Sequence, residues 1–348
     1  MPEIELGGRT IGDGYPCFVI AEAGVNHNGD VRIARELVKL AAQAGADAIK
    51  FQTFAAERLA TASAPKASYQ LARTERGESA QAMLKRLELG RDEHLQLLDD
   101  CKREGIMFLS SAFDEASADL LEELGVEAFK VPSGEITNLP YLSHLAKKQR
   151  PLLVSTGMST LEEVEVAFTT IQDASRVSVV LLHCVSLYPS PAAGTNLRAM
   201  ATMRDRFRVP VGYSDHTDGV EVALAAAALG ASVIEKHLTT DRALPGPDHA
   251  ASLEPDELSA MIKGIRMVES SLGDGVKKPL PEEAETALVA RKSLVAATDI
   301  AQGAVVGREM IAIKRPGTGL PPARLDWIVG RRARVAIPSG SVITQDMV

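Results

Sequence analysis

Eight short apolar, β-rich runs recur along this chain, each followed by a segment of helical periodicity. That rhythm constrains the fold more than any other feature. The runs are CFVIAEAG (17–24), DAIKFQTF (47–54), MFLSSAF (107–113), AFKVPSG (128–134), PLLVSTG (151–157), VSVVLLHC (177–184), VPVGYSDH (209–216) and SVIEKHLT (232–239). Between them, segments such as DVRIARELVKLAAQAG and STLEEVEVAFTTIQ repeat apolar residues at three and four, and acidic or Ser/Thr/Asp residues open them, as amphipathic helices with N-terminal caps do. Nearly continuous apolar strands alternating with helices predict a parallel sheet covered by helices, and eight such units predict closure into an α/β fold, the (β/α)8 TIM barrel. The rival, an open doubly wound sheet, lacks support because no GxGxxG follows the first strand.

The irregularities mark the domains. A long polar stretch containing 64–90 separates the second and third runs and reads as an enlarged loop over the active face. IELGGRTIGDG, ahead of the first run, reads as a hairpin plugging the barrel bottom. GDGVKKPLPEEAE is rich in Gly, Pro and charge, the composition of a linker. Beyond it, IAQGAVVGREMI (300–311) aligns with IPSGSVITQDMV (337–348) at an offset of 37, two half-units of one small β-rich domain. The resulting division is a barrel over 1–275 with its hairpin, a linker over 276–290 and a small domain over 291–348. A module of about 60 residues is marginal alone and should lean on something.

Composition narrows the class. In 348 residues, 38 Lys+Arg face 46 Asp+Glu, a formal charge of −8, with 45% apolar residues. This is a globular composition, and its acidity argues against a nucleic-acid partner. No apolar run approaches the roughly 18 residues of a membrane span, and MPEIELGGRT lacks the basic start and apolar core of a signal peptide. Cys17, Cys101 and Cys184 are odd in number and widely spaced, which excludes a disulfide framework and suits a reducing compartment. A cytoplasmic location is the expectation.

Catalytic groups of such barrels sit at the carboxyl ends of the strands, where residues two apart share a face. Glu22 is on run one, Lys50 and Gln52 on run two, Lys130 on run four with Ser133 and Glu135 in the turn after it. Ser155 is on run five, Ser186 and Tyr188 follow run six, Ser214 and His216 end run seven, and Glu235 and His237 lie on run eight. Polar residues at one end of apolar strands are costly unless they bind something. Lys50 and Lys130 with the serines suit a phosphate or carboxylate cradle; salt-bridged structural lysines are the alternative, disfavoured by their placement. His216 and His237 could share one divalent ion with open positions for Lewis-acid work on a carbonyl, or be hydrogen-bonded structure. Glu22 and Glu135 could move protons or pair with the lysines. Cys184 reads as a small buried hydrophobe, and His94 and His144, on helical segments, as solvent-facing. The residues alone lead to a metal-assisted barrel enzyme acting on a phosphorylated or carboxylated small molecule.

The stretches AEAGVNHNGD, IKFQTF, FKVPSGEITNLPYL, STGM, LLHCVSLYP, YSDHT, IEKHLTTDRALPGPDHAASLEP and KRPGTG occur in order. With them the chain closely resembles the sialic acid synthases, the bacterial N-acetylneuraminate and legionaminate synthase group, along essentially its whole length. The resemblance implies condensation of phosphoenolpyruvate (PEP) with an N-acyl mannosamine-type sugar, giving a nine-carbon 2-keto acid and phosphate, with Mn2+ or Mg2+ as cofactor. It implies N-acetylneuraminate synthesis from ManNAc, or legionaminate synthesis from a diacetamido-trideoxy sugar. It also implies a C-terminal antifreeze-like (SAF) domain that, in a swapped homodimer, caps the partner's barrel. Carried over, His216 and His237 would hold the metal. Lys50, Gln52, Ser111, Lys130, Ser133, Ser155, Ser186 and Ser214 would hold PEP. Glu22, Tyr188 and Asp248 would meet the sugar, Arg315 would reach its N-acyl group from the other subunit, and Glu135 would manage the attacking water. Where many members carry an amide after the His-Cys pair, this chain has Val185-Ser186, and its loop with Tyr69 and Gln70 resembles one subgroup. Two other classes fit the barrel: a non-catalytic carbohydrate-binding protein, and a metal-dependent aldolase that uses pyruvate.

Overall fold

The structure is a computed structural model that describes residues 3–75 and 77–348. It divides into two compact units, Met1–Gly273 and Asp274–Val348. In the first, β1 (Ile4–Leu6) and β2 (Arg9–Ile11) form an antiparallel hairpin. Eight parallel strands then close a barrel: β3 (Phe18–Gly24), β4 (Ala48–Thr53), β5 (Met107–Ala112), β6 (Phe129–Val131), β7 (Leu152–Ser155), β8 (Val179–Cys184), β9 (Val211–Asp215) and β10 (Val233–His237), with β10 pairing β3. All eight predicted runs are barrel strands, and the fold is the α/β barrel that their rhythm predicts.

Helix α1 (Val31–Ala44) follows β3, and the long interval after β4 carries α2 (Ala56–Leu59), α3 (Ser68–Arg73) and α4 (Ala80–Lys85) before α5 (Arg91–Glu104). The remaining barrel helices are α6 (Glu115–Glu123), α7 (Leu139–Lys147), α8 (Leu161–Ala174), α9 (Ala199–Phe207), α10 (Glu221–Ala228) and α11 (Pro255–Leu272). Their ends follow local chemistry. Asp30 caps α1 by accepting from the Arg32 N–H, and Thr160 with Glu163 forms a capping box on α8. The enlarged loop has a small core of its own, in which Val25, Phe54, Met83 and Leu87 pack with Leu59, Leu84 and Phe113.

Inside the barrel, Ile4, Leu6 and Ile11 of the hairpin cluster with strand residues that include Ile20, Leu109, Leu153, Leu182 and Val233. Each such side chain stabilises by roughly 1.5–3 kcal/mol when fully buried, which is why the hairpin stays in the barrel bottom. Outside, a larger core joins strand residues such as Ile49, Phe51 and Tyr213 to the helical layer. His94 belongs to the buried set, contrary to the solvent-facing expectation: it is on α5, but its Nε2 meets the Thr53 hydroxyl at 2.8 Å and its Nδ1 the Gly90 carbonyl at 2.7 Å. Helical position alone did not reveal that this face of α5 packs on the barrel. His144 is partly exposed and bonds Asp119 at 2.7 Å.

In the second unit the expected linker is not wholly irregular. Glu283–Ala290 forms α12, with Glu283 and Glu285 in its first turn, where acids favour the helix dipole. β11 (Ser293–Ala296) and β12 (Ile311–Lys314) pair antiparallel. The sequence repeat has a structural counterpart, since Ile300 and Ile337 exchange N–H···O bonds of 2.9 and 2.8 Å, and Val306 and Ile343 share one core with Ile300 and Ile337.

Gly212 sits in the barrel floor, where an added Cβ would come within 2.4 Å of the Val233 carbonyl oxygen and 2.7 Å of Leu182. Gly212→Ala should therefore destabilise the barrel by about 1–3 kcal/mol, the usual cost of overpacking, read as a lower urea midpoint at unchanged slope.

Candidate active site

The pleat explains where the site is. Going two residues up from the apolar floor, every strand changes character: Ile20 gives way to Glu22, Ala48 to Lys50, Leu109 to Ser111, Ala128 to Lys130, Leu153 to Ser155, Leu182 to Cys184, Gly212 to Ser214 and Val233 to Glu235. These eight line one cavity of about 460 Å³. Two ammonium groups and two carboxylates face one another in a single layer. Lys50 Nζ donates to Glu22 Oε1 at 2.6 Å and to the Ser111 hydroxyl at 3.1 Å, and lies 3.6 Å from Glu235. Lys130 Nζ is 3.4 Å from Glu235, which accepts from the Ser214 hydroxyl at 3.0 Å. Burial works against the Lys50 ammonium, but Glu22 and Glu235 outweigh it and raise its pKa; for Lys130 burial wins and the pKa falls.

The layer is not self-sufficient. Ser155 Oγ, Glu235 Oε2 and His237 Nδ1 are buried with no partner among the described residues, and groups of that kind are costly unless a ligand or water completes them. Beside them, Ser133 Oγ accepts from the Gly157 N–H at 3.0 Å and meets Cys184 Sγ at 3.1 Å. A Cβ on Gly157 would fall 2.3 Å from Ser186 Oγ and 2.8 Å from Ser133 Oγ, so only glycine lets backbone and hydroxyls crowd together here. Two ammonium groups, several hydroxyls and a close backbone make an anion cradle.

His216 and His237, next up the strands, have ring centroids 5.5 Å apart. His216 Nδ1 is committed to the Val185 carbonyl at 2.8 Å, leaving Nε2 available, and His237 Nε2 is 3.2 Å from Glu22. Burial lowers both pKa values, that of His237 to about 3, so both imidazoles are neutral at pH 7 and offer lone pairs. Burial pushes the Glu22 carboxyl up, but the Lys50 and Lys130 ammonium groups beside it hold it well below its ordinary range. Two neutral imidazoles beside a carboxylate fit a divalent ion with open coordination positions, although among the described residues no group of three or more His, Cys, Asp or Glu is placed to hold a metal ion. Above, Tyr188 packs on His216 at 4.2 Å and Tyr69 of α3 stacks on Tyr188 at 5.0 Å.

Most sequence-predicted residues meet here. Glu22, Lys50, Gln52, Ser111, Lys130, Ser133, Ser155, Ser186, Tyr188, Ser214, His216, His237 and Asp248 all line the cavity. The two readings of the lysines prove compatible, because Lys50 is salt-bridged and also faces the cavity. Glu135 is not among the lining residues. Residues 133–135 form a 3-10 turn, whose side chains step around the axis by a third of a turn; Ser133 and Gly134 reach the cavity while Glu135 accepts from Asn138 Nδ2 at 2.7 Å. Arg315 is exposed and belongs to the second unit, directly after β12. Glu235 also lines the cavity, a functional position to which the strand pattern assigns no role. Its two-residue spacing from His237 was the available signal. Cys184 is buried, with its thiol pKa raised by burial, yet it lines the cavity. Tyr69, Gln70 and all the apolar side chains of the loop core except Phe54 also line it, and no periodicity announces them.

Residues 37–277 match the NeuB family and residues 291–348 match the SAF domain. The chain belongs to the NeuB family. It is 46% identical over 341 residues to the N,N'-diacetyllegionaminic acid synthase of Legionella pneumophila, covering 97% of this chain and 96% of that one. The enzyme of the same name from Campylobacter jejuni is also 46% identical, covering 91% and 95%. Among solved structures, the N-acetylneuraminic acid (sialic acid) synthetase of Leptospira borgpetersenii superposes with a TM-score of 0.72 at 36% identity, over 82% of this chain and 95% of that one. This NeuB-family chain is thus an enzyme of the nonulosonate synthase class, a barrel followed by a SAF domain. No described helix is long and apolar enough to cross a membrane.

Asp248, buried at the cavity wall, has its pKa raised to about 7 by burial and by Glu22. Unfolded, it titrates near 3.9. Its contribution to stability is therefore fully present below about pH 4 and is lost as pH rises to about 7, where the folded carboxyl also ionises. Urea unfolding of the substrate-free protein at pH 5 and 7 should show Asp248→Asn losing less stability across that interval than the parent.

Proposed function

We propose that this enzyme condenses PEP with the open-chain aldehyde of an N-acyl mannosamine-type sugar, releasing phosphate and a nine-carbon 2-keto acid. The observation that carries the reading is the convergence of Lys50, Lys130 and the serine hydroxyls with His216 and His237 in one cavity. In this reading Lys50, Gln52, Ser111, Lys130, Ser133, Ser155, Ser186 and Ser214 bind the phosphate and carboxylate of PEP. His216 and His237 would hold a divalent ion, Mn2+ or Mg2+, whose chemistry is Lewis acidity toward the aldehyde oxygen. Glu22, Tyr188 and Asp248 orient the sugar. C3 of PEP bonds to the aldehyde carbon, whose oxygen gains a proton, and water then adds to the cationic C2. The unpartnered Oε2 of Glu235, whose Oε1 lies 3.4 Å from Lys130, is the carboxylate oxygen that takes this water's proton, in place of Glu135. The bond from C2 to the phosphate oxygen then breaks, the proton of the new hydroxyl passes to the departing phosphate, and the ketone remains.

Two acceptors belong to this class, ManNAc and the 2,4-diacetamido-trideoxy sugar of legionaminate synthesis. The second is supported by the relatives at 46% identity and by the wall of Val25, Leu59, Met83, Leu84, Leu87 and Phe113, which suits a methyl terminus better than a hydroxymethyl that would go unpaired. A homodimer in which Arg315 crosses to the partner's acceptor completes the proposal.

Incubation with PEP, Mn2+ and each acceptor in turn, with mass analysis of the product, tests the reading. Phosphate should appear at the rate PEP disappears, with the diacetamido acceptor fastest; no release with any N-acylhexosamine overturns the reaction, and faster turnover of ManNAc overturns the acceptor. Arg315→Ala should raise the acceptor KM by about 10-fold or more, the loss of a hydrogen bond to a charged group, leaving the KM for PEP unchanged. A fully active monomer in sedimentation would refute the crossing geometry.

A further inference from the structure

Asp215 on β9 and Lys236 on β10 are direct register partners whose side chains form an ion pair with no exposure on either side. They alternate with the cavity-lining Ser214, His216, Glu235 and His237, so the pair faces the helical layer, behind the site. Lys236 Nζ donates to Asp215 Oδ2 at 2.7 Å and to the Thr217 carbonyl at 2.5 Å. Asp215 Oδ1 accepts from the Thr217 N–H at 2.9 Å and from its hydroxyl at 2.8 Å. Asp215 and Thr217 flank His216, and Lys236 precedes His237. The four bonds thus tie together the two strand ends that present the imidazoles.

Stability alone is a weak reason for such a pair, because removing two charges from water costs about as much as their attraction returns, and apolar residues of similar volume often serve as well. The condensation does not use these groups. What they supply is register: two imidazoles on different strands can share one ion only if the strand ends keep their spacing, and such supports govern metal affinity.

We propose that Asp215, Lys236 and Thr217 are positioning residues, a clamp that holds His216 and His237 at the separation a divalent ion requires. The inference rests on the reading of those histidines as metal ligands. It is tested with Mn2+ as probe, following free ion by its paramagnetic resonance signal, alongside calorimetric PEP binding to metal-free protein and thermal melting. The double variant Asp215→Asn/Lys236→Met should melt within a few degrees of the parent and bind PEP within 2-fold, but bind Mn2+ about 10- to 100-fold more weakly. Parent-like Mn2+ affinity in the folded double variant, or equal weakening for Mn2+ and PEP, overturns the clamp. Thr217→Val, which loses one hydroxyl and keeps both charges, carries the test if the double variant does not fold: several-fold weaker Mn2+ binding supports the clamp and unchanged affinity overturns it. His237→Ala tests the underlying reading separately. If it keeps the parent's Mn2+ affinity, or the parent binds no Mn2+, the ligand assignment falls and the clamp's role with it.

Discussion

The site depends on Lys50 being held between Glu22 and Glu235 at the level where the barrel interior turns polar. An isolated ammonium at that depth would lose its proton or unfold its surroundings. With Lys130 and Ser214 closing the ring around Glu235, the two lysines are balanced by two carboxylates, so the layer can exist without a ligand while its ammonium and hydroxyl donors still face the cavity. The apolar floor below, sealed by Ile4, Leu6 and Ile11, keeps water from screening these charges from beneath. Floor and layer are two consecutive levels of the same pleat.

That coupling explains how much was legible in the sequence. The barrel followed from eight apolar runs, and the cavity followed from reading every second residue at their carboxyl ends, which gathers Glu22, Lys50, Lys130, Ser214, His216 and His237 correctly. The same rule placed Glu235 with them, but a role for it required distances to Lys130 and Ser214. Glu135, read in the turn after run four, does not line the cavity, because the chain tightens there into a 3-10 turn that brings Ser133 and Gly134 to it instead. His94 went astray for a related reason: a histidine on a helix reads as polar surface until its partners, Thr53 and Gly90, are known.

The enlarged loop after β4 was visible as an interruption, but not as a wall. Its short helices carry a satellite core that serves packing and cavity lining at once. Tyr69 illustrates the limit, since its neighbours in sequence are polar while its ring stacks on Tyr188. Such contacts come from loop closure over a scaffold, and no periodic signal encodes them.

The mutual pairing of Ile300 and Ile337 has a consequence for trimming the C-terminal unit. Each half supplies the other's missing strand edge, so a chain stopped before residue 337 would strand the Ile300 amide and carbonyl and strip Ile343 and Val348 from the core they complete. The two halves of the repeat therefore stand or fall together as a single cooperative object.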